Sequence, residues 1–291
     1  MNSVAHASRH LGVFAVLASV AVGHAETRHK QIPGETKLSS KGNVEMVYVP
    51  EGNFIMGGVD LKPGETLDRI TGGYGSTIKR VVQGGDMTSQ NDQGPQRSVY
   101  LDGYWIGKNL ITVGQFREFT RVTHYRFNWK ANQPQWGYID THPMVMVTWA
   151  DARAYCKWAG GDLPTEAEWE KAARGTDGRE YPWGNTWDPN RLWCGHSHEP
   201  APVGSFTNGA SPYGCLDMVG NTWQYCLDWF GGSYDNLPSS NPTGVEQGQD
   251  RVIRGGMFDG CAYTTFRCSY RYFQDPKCGF CACGFRMVSH G

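Results

Sequence analysis

The sequence predicts a loop-rich α+β domain behind a secretory leader, and three observations predict it. Short apolar alternations mark strands, and three capping signals mark short helices. The third is composition: 38 glycines, 11 tryptophans and 14 tyrosines among 291 residues. Glycine opens backbone turns closed to other residues, and aromatic rings bury large area per residue, so the mixture implies a small twisted sheet, few helices and much irregular backbone.

The chain opens on Arg9 and His10, an uninterrupted apolar run from Leu11 to Val22, and then Gly23-His24-Ala25. That is the charged, apolar and small-residue succession of a signal peptide. The run is shorter than the ~20 residues a membrane span needs, and no second run exists. The expectation is an exported protein, periplasmic or extracellular, with no membrane span and a mature start near Glu26. A net charge of −1 with 19% charged residues argues against nucleic acid as a partner. Residues 1–25 are thus the leader, 26–42 a flexible lead-in and 43–291 one domain, since no linker or repeat divides the rest.

Met46-Val47-Tyr48-Val49-Pro50 reads as a strand, Gly52 as a turn and Phe54-Ile55-Met56 as a second strand, together a hairpin signal,. Residues 57–96 are glycine-rich without periodicity and read as one long loop, a type of segment that often carries function. Alternation from Ser98 to Ile106 reads as a single further strand. Thr112-Val113-Gly114-Gln115 is a capping box ahead of Phe116 and Phe119 on one helix face,. Thr148 can cap a second helix through Ala150, Ala154 and Trp158, closed by Gly160-Gly161. Thr165 and Glu168 open a third, which Gly175 stops. Beyond residue 176 turn dipeptides and tryptophans separate short apolar runs such as Val252-Ile253 and Phe285-Arg286-Met287-Val288.

Nine cysteines in an exported chain allow disulfides, and an odd count requires a free thiol, a metal ligand or an intermolecular bond,. Five of the nine lie between Cys261 and Cys283, which marks the tail as the candidate working surface. Cys278, Cys281 and Cys283, with Cys261, could hold copper or zinc, or be disulfides or surface thiols. His196 and His198, two apart near Cys194, could supply an iron site or be exposed loop histidines. Glu166 and Glu168 resemble paired carboxylates, but helix capping explains them. No phosphate-binding glycine loop or Ser/His/Asp motif is present.

Several blocks occur in a fixed order. They are Glu45 to Gly52, Leu101 to Lys108, His142-Pro143-Met144-Val145-Met146-Val147-Thr148-Trp149, Leu163-Pro164-Thr165-Glu166-Ala167-Glu168-Trp169-Glu170, Tyr181-Pro182-Trp183-Gly184-Asn185, Asp217-Met218-Val219-Gly220-Asn221-Thr222-Trp223, Arg254-Gly255-Gly256 and Gly284-Phe285-Arg286. Across roughly residues 43–289 the chain resembles the formylglycine-generating enzyme (sulfatase-modifying factor) family. The resemblance implies a C-type-lectin-like fold. It also implies several functions on that fold: copper-dependent oxidation of a sulfatase cysteine to formylglycine with oxygen, iron-dependent sulfoxide synthesis, pyoverdine maturation, or non-catalytic display on a retroelement-diversified C-terminal surface.

In the copper enzymes two cysteines, four residues apart, follow Arg-Gly-Gly, because soft thiolates favour Cu(I). Here Cys261 falls one place from the first position, and Thr265 or Tyr263 occupies the second, depending on the direction of counting. Cys268 matches a structural disulfide cysteine whose partner position is Ala173; Cys156 matches another, opposite Met287. For Cys156 a buried thiol is the expectation. The family's calcium loop corresponds to Asp217, Gly220, Thr222 and Gln224, with the single carboxylate moved to the other end.

Two functions stay open. As an enzyme, the protein would oxidise a cysteine-containing peptide or secreted metabolite, with Cys261 as the reactive thiolate, Cys268 or a tail cysteine as its partner, and copper or iron as cofactor. As a binding module, it would hold a peptide, protein or small-molecule ligand on Phe258, Asp259, Tyr263, Phe266, Arg267, Tyr270, Arg271, Tyr272, Phe273 and Phe280. Rigid aromatics amid small residues suit recognition because ordering them costs little entropy.

Overall fold

The computed structural model describes residues 31–58, 95–195, 198–232, 234, 236–260, 263–279 and 282–291. The expected leader, most of the expected long loop, His196, Cys261, Phe280 and Cys281 lie outside the described residues. In chain order the elements are β1 (Thr36–Leu38), β2 (Glu45–Val49), β3 (Gly52–Met56), β4 (Arg97–Leu101), β5 (Tyr104–Gly107), α1 (Val113–Thr123), α2 (Trp149–Trp158), α3 (Glu166–Arg174), β6 (Trp223–Trp229), β7 (Arg251–Arg254), β8 (Arg271–Gln274), β9 (Cys283–Gly284) and β10 (Val288–Ser289). Among the described residues they form three sheets, ordered β1-β2-β5-β10, β3-β4 and β8-β7-β6-β9.

All three helices begin where their capping residues stand. Thr112, Thr148 and Thr165 each accept from the N3 amide, and Gln115, Asp151 and Glu168 reach back to the cap. Each box satisfies two backbone donors that the first helical turn leaves orphaned. The strands depart from the sequence reading in three places. β2 and β3 are not a hairpin, because β2 pairs with β1 and β5 while β3 pairs with β4. The cause is long-range: the buried Lys171 ammonium donates to Pro50 O at 2.7 Å and Gly52 O at 2.8 Å, turning the chain from one sheet to the next. The run from Ser98 to Ile106 breaks at Asp102-Gly103, where a side chain at 103 would meet the Tyr48 hydroxyl at 2.2 Å. Part of the expected flexible lead-in is a strand, Thr36–Leu38, in register with Glu45–Val47.

The β8-β7-β6-β9 sheet separates two apolar clusters. Val252 and Cys226 face Trp169 and Ala172 of α3, whereas Tyr225 and Ile253 face Trp149 of α2 and Phe285. Strand alternation assigns neighbouring residues to opposite clusters. α3 lies against β3, β4, β6 and β7, and all nine of its residues are buried, five of them charged.

Candidate functional site

The loops at one end of this sheet meet around Asn221. Its side chain accepts from the Ala201 amide at 3.0 Å and donates to Ala201 O at 3.2 Å, while its amide donates to Trp193 O at 2.9 Å. Its carbonyl accepts from the Phe258 amide at 3.0 Å, and Phe258 O accepts from Gly195 at 2.8 Å. Asn221 holds φ at 62°, a left-handed conformation that asparagine tolerates better than most residues,. One buried residue therefore ties residues 193–201 to residues 257–260, next to the Arg-Gly-Gly block. Trp136 packs edge-on to Phe258 with ring centroids 5.4 Å apart, and His198 Nδ1 lies 3.7 Å from Asp259 Oδ1. Beside them Trp223 pairs in register with Cys283 and stacks on Tyr272 at 5.6 Å. Trp136, Trp223, Asp259, Tyr263, Tyr272 and Phe273 are all half-buried. Trp136 with Phe258, and Trp223 with Tyr272, give this end of the sheet an aromatic rim, whereas Phe273 pairs with Val252 and packs on Phe230 on the other face.

The same tail then runs into the core. Arg271 grips Glu166 in two parallel bonds, Nε to Oε1 at 2.7 Å and Nη2 to Oε2 at 2.9 Å. Arg254 pairs with Glu170, whose other oxygen takes Arg174 at 2.7 Å. Tyr234 donates to Glu166 Oε1 at 3.1 Å. Bidentate charge-assisted bonds are the strong form of this contact, and attraction to Arg271 and Arg254 keeps the Glu166 carboxyl below its usual range against the cost of desolvation. The expectation that Arg271 binds ligand is thus corrected: it is a buried clasp between β8 and α3. Arg267 is 8% exposed and faces Glu180 at 3.6 Å; Phe266 is 1% exposed and stacks on Trp187 at 5.7 Å. Phe258 and Tyr270 are also buried. Of the ten residues expected on the surface, five are core by burial and one is outside the described residues; Asp259, Tyr263 and Tyr272 remain at the rim, and Phe273 is half-buried against Phe230 on the α3 side of the sheet.

Of the four residues expected to hold calcium, Asp217 and Gln224 are bonded within the loop and to Trp169 and Arg286, while the Thr222 hydroxyl is buried without a hydrogen-bond partner. Gln224 Nε2 donates to Asp217 O at 2.8 Å and Met218 O at 3.1 Å, and its Oε1 accepts from Trp169 Nε1 at 2.9 Å and Arg286 Nε at 2.7 Å. Asp217 Oδ2 accepts from the Gly204 amide at 2.7 Å, and burial raises its carboxyl pKa. Gly220 turns the loop at φ 78° and donates to Gly255 O, and Thr222 Oγ1 sits buried beside Gly284. Calcium takes six to eight oxygens free to face it; with Gln224 Oε1 and Asp217 Oδ2 engaged, the side-chain oxygens left open here, the Thr222 hydroxyl among them, are too few for one.

Residues 34–290 match the model of a family described as a sulfatase-modifying factor enzyme 1-like domain. The chain belongs to that family. The formylglycine-generating enzyme of Bos taurus is 37% identical over 93% of this chain and 82% of its own length, and that of Thermomonospora curvata 29% over 84% and 93%. The inactive C-alpha-formylglycine-generating enzyme 2 of Bos taurus is 31% identical over 79% and 91%. Among solved structures, PvdO from Pseudomonas aeruginosa superposes with a TM-score of 0.70 at 21% identity, covering 89% of this chain and 99% of its own. Treponema denticola variable protein 1 does so at 0.62 and 20%, covering 88% and 99%. The fold is the α+β, C-type-lectin-like fold of formylglycine-generating enzymes.

Against that family's copper chemistry the decisive residue is Cys268. It is fully buried, its carbonyl accepts from Arg254 Nη2 at 2.8 Å, and desolvation pushes its thiol up to about 12. Burial keeps this thiol from solvent and from a soluble substrate, so Cys268, expected as a catalytic partner of Cys261, stands in the core rather than at the rim. Thr265, at the family's second position, is buried as well. Cys156, Cys215 and Cys226 are free, buried and likewise raised by desolvation. Cys194 is disulfide-bonded, so it is not available as a thiolate either. Of the other tail cysteines, Cys278 is half-buried and Cys283 buried, and among the described residues no three His, Cys, Asp or Glu side chains stand together as metal ligands. Sequence reasoning missed Trp136 and Trp223. Trp223 was legible as the end of the Gly220-Asn221-Thr222 block, but Trp136 follows no motif and is placed by Phe258 alone.

Proposed function

We propose that this protein is an exported, ligand-recognising member of the formylglycine-generating enzyme family, which holds a peptide or small-molecule ligand on the aromatic rim around Phe258. The observation that carries the reading is the burial of Cys268. Recognition needs a rigid rim and no thiolate pair, and the rim is rigid because Asn221 fixes its loops from beneath. Half-buried tryptophan and tyrosine faces recognise apolar or ring-bearing groups at little entropic cost. Oxidation is the second reading, favoured by the 37% identity to the bovine formylglycine-generating enzyme over 93% of this chain. It would rest on Cys261.

The test uses the mature protein against a panel of cysteine-containing and cysteine-free peptides, following binding by calorimetry, oxygen uptake by electrode and metal content by mass spectrometry. Recognition predicts binding without oxygen uptake, retained in Cys261→Ser and weakened at least tenfold in Trp136→Ala. Oxygen uptake with a peptide, abolished in Cys261→Ser, would replace it with the oxidase reading.

A further inference from the structure

The loop from Leu216 to Gln224 carries Asn221 and so sets the rim, and the resemblance leads to the expectation of calcium there. We infer that in this chain a neutral amide and a buried guanidinium brace it, so that the loop closes without a metal ion. Gln224 uses all four of its hydrogen-bonding positions: two donors to Asp217 O and Met218 O, and two acceptances, from Trp169 and Arg286. A glutamate there would have no donor for the two carbonyls and would need a cation between itself and them. The amide N–H groups occupy that position instead.

Charge leads to the same conclusion. Arg286 is 0% exposed and donates through Nη2 to Leu216 O at 2.8 Å and Asp217 O at 3.1 Å, and through Nη1 to Gly107 O at 2.7 Å. Its guanidinium already supplies positive charge to the loop carbonyls. The one carboxylate, Asp217, faces Gly204 and Asn221. Space is closed too. At Gly255, where φ is 96°, a side chain would meet Met218 O at 2.6 Å and Gln224 Nε2 at 2.9 Å. The first glycine of Arg-Gly-Gly is therefore the lid of the lock.

The experiment compares thermal unfolding of the full mature chain in EDTA and in millimolar calcium, with calorimetric calcium titration and the variant Gln224→Glu. The wild type is expected to melt within about 1 °C in both buffers and to give no calcium-binding heat. Gln224→Glu is expected to melt about 5 °C or more lower in EDTA, since two buried carbonyls lose their donors. A wild-type melting point that falls on chelation, or stoichiometric calcium binding, would overturn the inference. So would a Gln224→Glu protein as stable in EDTA as the parent.

Discussion

The two faces of the β6–β7–β8 sheet are built from opposite chemistries. Towards α3 the sheet presents Gln224, bonded to Trp169, together with Asp228, Arg254 and Arg271, locked to Glu166 and Glu170 of the helix. Towards α2 it presents Tyr225 and Ile253, and Arg251 lies between the Trp149 and Trp229 rings at 3.8 and 3.3 Å. One face is held by paired charges whose partners are all required, the other by dispersion and cation–π contacts that yield gradually. The polar half of a binding surface, as read from the tail sequence, is structural cement on the first face. What is left for a ligand is the aromatic rim where the sheet ends.

The difference can be broken by substitution. Glu166→Ala strands the buried Arg271 guanidinium and is expected to cost about 3–5 kcal/mol in urea unfolding. Trp149→Phe on the other face, which loses the bond to Cys226 O and part of the cation–π contact, should cost about 1–2 kcal/mol. Equal losses would erase the distinction. The ionic face carries a pH dependence of its own. Desolvation and the nearby Glu166 raise Asp228 to about 8, while the unfolded chain titrates near the ordinary 3.9. The folded state therefore holds a proton that the unfolded state releases. Stability is fully present below about pH 4 and falls as pH rises to about 8. Asp228→Asn should flatten that slope in denaturation curves across the window; an unchanged slope would assign it elsewhere.

Smaller effects sharpen the comparison. Cys268→Ala is expected to cost about 1–2 kcal/mol by removal of a buried sulfur and to leave ligand binding unchanged in calorimetry. Trp136→Ala should shift stability by about 0.5–1 kcal/mol at most, yet it should be the variant that loses the ligand. A rim variant that binds normally, beside a Cys268→Ala that does not, would reverse the assignment of the two regions.

The helices were legible because their signals are local: Thr112, Thr148 and Thr165 each meet their partners three residues on. The sheet change after β2 was not, since Lys171 acts on Pro50 across 121 positions of chain. Within the tail, alternation already distinguishes Arg271 from Tyr272, because their register partners are Arg254 on the α3 face and Ile253 on the α2 face. Reading residues 258–280 as one surface overlooked that period of two. The ordered motif blocks gave the family and the place of the site, because tight glycine turns and buried arginines leave a fixed imprint. Gly256 shows the reason: a side chain there would meet the Phe266 ring at 2.5 Å. The chemistry left no such imprint, since it depends on which thiol reaches solvent.

The central claim is that the tail turns inward after Tyr263, so that Cys268 belongs to the core and takes no part in the site. Native-state alkylation read by peptide mass spectrometry tests it most directly, with iodoacetamide under mildly alkaline conditions. Cys268 should stay unmodified until denaturant is added, as expected for a fully buried thiol pushed up to about 12,. Modification of Cys268 in the folded protein at the rate of an exposed thiol would contradict the claim and return it to the candidate site.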